Sequence, residues 1–135
     1  MTTGYKIVLL LLMLWLHLID DYYLQGVLAK LKQRVWWQEN APNKLYKHDY
    51  KVALLEHSFS WTCSIMLPII FVYLFRLLDV HFGCIITCFI TNMGLHAYVD
   101  NAKANEMRIS LLTDQAIHIV QILFTWVECF FIFVG

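Results

Sequence analysis

The sequence predicts an all-α membrane protein, a bundle of four transmembrane helices forming a single domain. Three observations carry that prediction. The chain of 135 residues is 60% hydrophobic and 16% aromatic but only 15% charged, whereas soluble domains are nearer half apolar and a quarter charged. Four segments, about 5–29, 52–78, 80–101 and 111–134, have the roughly 20 mostly apolar residues that a bilayer crossing needs. Each of the four also contains His or acidic groups, so none can face lipid all round. The formal net charge is zero, which leaves no overall field to suggest a nucleic-acid partner. With 5 Gly and 2 Pro, long flexible linkers are not expected.

The first span begins "YKIVLLLLMLWL" and runs into "HLIDDYYLQ", which carries His17, Asp20, Asp21 and Gln25. One Lys before an apolar run is how a signal peptide starts. No small-x-small cleavage site follows, so cleavage is not expected. The connection 30–51 interleaves basic residues with Trp36, Trp37, Tyr46 and Tyr50, a composition suited to the headgroup level. Within it, "LKQRVWW" reads either as a short surface helix ending before Pro42 or as an ordinary loop. The second span supplies His57. The third supplies "HAYVDNAK", with His96, Asp100 and Lys103, and the fourth "DQAIH", with Asp114, Gln115 and His118.

Positive charge sets the expected orientation. Lys30, Lys32, Arg34, Lys44, Lys47, Lys51, Lys103 and Arg108 fall on one side, and Lys6 and Arg76 on the other. Both basic connections are therefore expected in the cytoplasm and both termini on the non-cytoplasmic side.

Three of the spans repeat an acid and a His at i, i+4 (His17/Asp21, His96/Asp100 and Asp114/His118), and the second adds a lone His. That spacing puts both side chains on one helix face. Depth tests the pattern further. At about 1.5 Å per residue, His57 lies about 9 Å beyond Lys51, His96 about 10 Å before Lys103, and His118 about 15 Å beyond Arg108. Asp21 lies about 14 Å before Lys30, while His17, at about 20 Å, is the outlier unless the helix tilts or stops short of Lys30. One shared level for groups on four alternating helices suits a single site. His17, Asp21, His57, His96, Asp100, Asp114 and His118 are thus candidate metal ligands. Imidazoles and carboxylates without thiolates suit zinc first, with manganese or iron as alternatives. Seven candidates exceed one tetrahedral zinc. Either two ions share bridging Asp residues, or some groups, with Gln25 and Gln115, orient the ligands. A buried hydrogen-bond network or a proton path are the other readings. His48 and His81 lie outside the pattern. Cys63, Cys84, Cys88 and Cys129 sit in apolar runs without a CxxC and read as small buried hydrophobes. Cys84 and Cys88 share a face but cannot form a disulfide within a regular helix.

The ordered motifs H-x3-D-aromatic-x-L-Q, a lone His, H-x3-D-x2-K and D-Q-x2-H span residues 17 to 118. They are carried by His17, Asp21, Tyr22, Leu24 and Gln25, by His57, by His96, Asp100 and Lys103, and by Asp114, Gln115 and His118. In this combination the chain resembles a family of small bacterial and phage integral-membrane proteins of unknown function. It is more distantly similar to the LexA-regulated, membrane-bound, predicted metal-dependent hydrolases. Tyr22 stands where that family usually has Phe, Asp20 is an additional acid, and the basic connection matches poorly. The resemblance implies a helical protein of the bacterial inner membrane with a metal site, and supplies no substrate. H-E-x-x-H and the clustered HxxHH boxes of membrane di-iron enzymes are absent from the sequence, which disfavours those classes.

The function expected first is metal-dependent hydrolysis at the cytoplasmic leaflet. A bound ion acidifies water and polarises the scissile group. Asp20 or a motif Asp is the candidate base. Lys103 is a candidate to stabilise negative charge or hold a phosphate, or else a snorkelling Lys at a helix end. Membrane lipids are the expected surroundings, and a phospholipid or polyprenyl phosphate the expected substrate, with a membrane peptide or amide left open. A second reading is an ion- or proton-conducting oligomer. Asp114, His118, Gln121, Thr125 and Glu128 form a polar stripe along the fourth span, which either lines a path or glues helices together, with Glu128 near Arg76. A third reading is a phage-type interference or regulatory protein with a structural metal. A homodimer is a further expectation, on the thin signal of Gly83, Gly94 and Ala97.

Overall fold

The computed structural model describes residues 2–77 and 79–132. Six α-helices make up the described chain: α1 (Thr3–Ile19), α2 (Leu28–Leu31), α3 (Arg34–Asn40), α4 (Asp49–Leu74), α5 (Phe82–Ala104) and α6 (Leu111–Val127). π-helical turns extend α1 over Asp20–Leu24 and α6 over Glu128–Ile132. Four helical stretches, Thr3–Leu24, Lys44–Leu74, Phe82–Ala104 and Leu111–Ile132, are long and apolar enough to cross a membrane. These are the four expected spans. Position 78 of the second expected span and positions 133–134 of the fourth lie outside the described residues.

The ends of the helices have local causes. The first helix stops earlier than expected, because Gly26 adopts φ +47°, a left-handed conformation that suits glycine. The chain then turns into α2, which separates Lys30 from the spanning helix. The stretch "LKQRVWW" is split, with Leu31 ending α2 and Arg34–Trp37 opening α3, which stops at Asn40 before Pro42. Arg76 and Met107, both at φ 52°, mark the turns that follow α4 and α5. Ser110 caps α6 by accepting from the Thr113 N–H at 3.2 Å, satisfying one of the free donors of the first turn.

Packing runs α1 on α4, α4 on α5, and α5 and α1 on α6. The apolar core gathers Met13, Trp61, Ile65, Met66, Ile69 and Ile122 between them. Around the outside, Trp15, Leu67, Ile90 and Phe124 are exposed, the distribution expected of side chains that face lipid. Gly83 and Gly94 have open space beside them. α1 and α6 are also laced together by polar groups. The Trp126 indole donates to the Lys6 carbonyl at 2.7 Å, and the Lys6 ammonium donates to the Phe130 carbonyl and lies over the Phe131 ring.

Candidate metal centre

At one end of the bundle the C-terminal parts of α1 and α5 meet the N-terminal parts of α4 and α6. His17, Asp20, Asp21, His57, His96, Asp100, Asp114 and His118 are all buried there. All seven ligands proposed from spacing therefore come to one region.

The π turn of α1 explains how Asp20 and Asp21 both point inward. Neighbours on an α-helix diverge by about 100°. The wider turn, closed by the Gln25 N–H on the Asp20 carbonyl at 3.1 Å, relaxes that constraint, and such bulges are frequent at functional sites. The Gln25 side chain donates to the Asp21 carbonyl and so braces this turn.

The imidazole donors face each other. His57 Nε2 lies 3.1 Å from His96 Nε2, 3.3 Å from Asp21 Oδ1 and 3.3 Å from Asp100 Oδ2. His96 Nε2 is 3.8 Å from the same Asp100 oxygen. Donor atoms about 2.0–2.1 Å from a tetrahedral ion are separated by about 3.3–3.4 Å, close to the separations of His57 Nε2 from its three neighbours. Beside them, His118 Nε2 lies 3.6 Å from Asp100 Oδ1 and 3.4 Å from Asp114 Oδ1. The two oxygens of Asp100 thus point to two different donor groups, and two sets of three residues, Asp21/His57/His96 and His96/Asp100/His118, bring ligand atoms within 4.8 Å of one another.

Hydrogen bonds on the far sides of these groups fix which atoms are free. His118 Nδ1 lies 3.0 Å from Gln121 Oε1, and the Gln121 amide nitrogen is turned to the Asn92 carbonyl at 3.4 Å. His118 Nδ1 therefore donates, and its Nε2 is aimed at two carboxylate oxygens. His118 Nε2 and Asp114 Oδ1 are buried without a hydrogen-bond partner. A metal cation between them, or a proton on Nε2, satisfies this pair. Gln115 donates to Asp21 Oδ2 at 2.9 Å and to Asp114 Oδ2 at 3.1 Å. Lys103 donates to Asp114 Oδ2 at 2.7 Å. Both carboxylates so use Oδ2 for support and turn Oδ1 to a histidine.

Three placements refine the roles read from sequence. His17 accepts from the Trp61 indole at Nδ1, 2.8 Å away, and faces Gln115 Oε1 at 3.2 Å through Nε2. Both ring nitrogens are occupied, and the ring braces Gln115 behind the donor groups. Asp20 accepts from Ser60 and Ser64 at 2.9 and 2.8 Å, with its other oxygen 3.9 Å from His57 Nδ1. It stands behind His57, on the side away from the Nε2 cluster, where a carboxylate orients a ligand histidine. Glu128 makes no ion pair with Arg76 among the described residues; its carboxylate accepts from Cys88 Sγ instead.

Several participants carried no signal in the spacing argument. Lys32, on the C-cap of α2, is buried and donates to Asp100 Oδ2 at 2.5 Å. Nothing distinguishes it in sequence from its basic neighbours, because it is the early end of α1 that turns it inward. Trp61 stacks on His96 with ring centroids 4.1 Å apart, and His96 on His118 at 4.2 Å. Trp61 follows His57 by one turn, the same i, i+4 spacing that marked the acid–His pairs. The polar stripe of α6 is consumed inside the bundle: Asn92 of α5 donates to Thr125 Oγ1 at 2.7 Å, and Thr125 donates to the Gln121 carbonyl.

Charge favours a cation as well. Four buried carboxylates, Asp20, Asp21, Asp100 and Asp114, face two ammonium groups, Lys32 and Lys103. With neutral imidazoles the cluster keeps two excess negative charges in a buried setting, where an uncompensated charge costs several kcal/mol. One divalent ion, or protonation of two imidazoles, cancels them.

On the same end, the connection between α1 and α4 encloses a cavity of about 560 Å³ lined by Arg34, Trp37, Lys44, Tyr46, Lys47 and Tyr50, among others. No protein-family model, curated protein or solved structure matches the chain.

Proposed function

We propose that the chain is a metal-dependent hydrolase of the bacterial cytoplasmic membrane, acting on a phosphate-bearing amphiphile at the leaflet that borders its basic connections. The observation that carries this reading is the buried set of facing His and Asp atoms, His57 Nε2, His96 Nε2, Asp21 Oδ1 and Asp100 Oδ2, with the unpartnered His118 Nε2 and Asp114 Oδ1 beside them. The donor chemistry fits zinc best, with manganese or iron as substitutes. Asp100 turns one oxygen to each donor group and so is the ligand that one ion or two would share.

When bound, the metal supplies an acidified water and an electrophile for the scissile group. The chain's own residues do the rest. Asp20 and Gln115 hold the ligands in orientation. Lys32 and Lys103 place positive charge beside Asp100 and Asp114, where it neutralises charge gathering on a phosphoryl or acyl oxygen. Lys103, with its side chain 33% exposed, marks the entrance. The basic, aromatic cavity of the connection suits an anionic headgroup and a neighbouring apolar chain.

The test is hydrolysis in proteoliposomes containing phospholipid or polyprenyl phosphate. Activity that needs added metal and falls at least a hundredfold in Asp100→Asn supports the reading. A second reading, a purely structural metal joining four helices, is favoured by the near-complete burial of the donors. Folded, metal-loaded protein without activity on any amphiphile supports it instead.

A further inference from the structure

A second cluster lies away from the His/Asp centre and takes no part in the proposed hydrolysis. Cys84 and Cys88, one turn apart on α5, meet Cys129 from the π turn that ends α6. The sulfur atoms form a nearly equilateral triangle, with Sγ separations of 3.8 Å for Cys84–Cys88 and 3.7 Å for both Cys84–Cys129 and Cys88–Cys129. All three thiols are free and buried. They lie buried in the apolar core, as small hydrophobes are expected to, and the geometry adds that they meet. Their spacing in sequence hid it, since 41 residues separate Cys88 from Cys129.

Two features point to a ligand rather than to thiols merely in contact. Sulfur atoms about 2.3 Å from a tetrahedral ion stand about 3.8 Å apart, which matches all three edges. In addition, Glu128 directs Oε2 at the same trio, 3.2 Å from Cys88 Sγ, and among the described residues no cationic side chain pairs with it. A carboxylate inside a span without a counter-charge is costly. The π turn again lets adjacent residues, Glu128 and Cys129, contact one neighbour, as it does for Asp20 and Asp21. Eight residues of α5 separate Cys88 from His96, about 12 Å along the helix, so the two clusters are distinct.

We propose that Cys84, Cys88 and Cys129, with Glu128 as the oxygen donor, bind a zinc-class divalent cation that clips α5 to α6 at the end of the bundle opposite the His/Asp centre. Three thiolates and one carboxylate suit a tetrahedral borderline cation, and a softer monovalent one has no use for the oxygen.

Cobalt(II) is the probe. Full-length protein in detergent, reduced and stripped of metal, is titrated with cobalt and read by its thiolate-to-cobalt charge-transfer absorption in the near ultraviolet. His and Asp ligands do not give that band, so the two centres are read separately. The wild-type protein is expected to develop it together with intense tetrahedral visible bands. Cys88→Ser is expected to lose at least a third of its intensity. Cys63→Ser, whose thiol lies outside the trio, and His96→Ala are expected to keep it in full. Glu128→Gln is expected to retain the charge-transfer band and shift the visible ones. Cobalt uptake by the wild type without a thiolate band overturns the assignment, and that result does not depend on any variant folding. A band that persists in full in Cys88→Ser, or vanishes in Cys63→Ser, overturns it equally.

Discussion

At the residue scale, the centre separates donors from the groups that hold them. Asp20 touches only serine hydroxyls and the far side of His57, so Asp20→Asn should weaken metal binding by about 10–100-fold without abolishing it, the usual cost of losing an orienting carboxylate. Competition titration against a chelator of known affinity measures this. Trp61→Phe keeps a ring on His96 but removes the indole N–H from His17. The buried acceptor left behind should cost about 1–3 kcal/mol, visible in reversible unfolding in mixed micelles. The candidate donors were legible in sequence because an acid and a His at i, i+4 need only helical geometry to share a face. Their partners were not. Trp61 and Ser60 are ordinary residues for an apolar helix until the neighbour they touch is known. Adjacent Asp20 and Asp21 would diverge by about 100° on a regular α-helix, and the π turn that carries both inward leaves no mark in their spacing.

At the element scale, the early stop of α1 does most to shape the site. Gly26 at φ +47° turns the chain so that α2 carries Lys32 back to Asp100. Gly26→Ala should destabilise the fold by roughly 1–2 kcal/mol through left-handed strain. It should also loosen the lysine contact, which shows as faster modification of Lys32 by an amine reagent. An unchanged melt and unchanged Lys32 reactivity would count against this role for the turn. The four spans were readable from length and apolarity, since the bilayer imposes both. The boundary near Lys30 was not, because a single glycine in a polar stretch does not announce its φ. The same boundary resolves the depth of His17, which looked too far from Lys30 only while α1 was taken to run on to residue 29. The stripe on α6 was equally visible, but periodicity alone does not say whether Thr125 faces a pore or Asn92.

At the scale of the whole molecule, metal binding and stability belong together. Lipid provides no hydrophobic drive between spanning helices, so the bundle depends on packing and cross-helix polar contacts. The donor groups come from α1, α4, α5 and α6 at one end, and the thiol trio joins α5 to α6 at the other. Chelation should therefore lower the melting temperature, with a larger drop when both centres are emptied than in Cys88→Ser, where the thiol trio is already broken. An unchanged melt after proven removal of metal contradicts this coupling. The central claim, that the buried His/Asp cluster is a metal centre, is tested most directly by elemental analysis of protein purified in detergent, comparing wild type with Asp100→Asn. Asp100 lies against both donor groups, so the wild type should carry at least one more zinc-class ion per chain than the variant. Equal metal content in two folded proteins, or none in either, would contradict it.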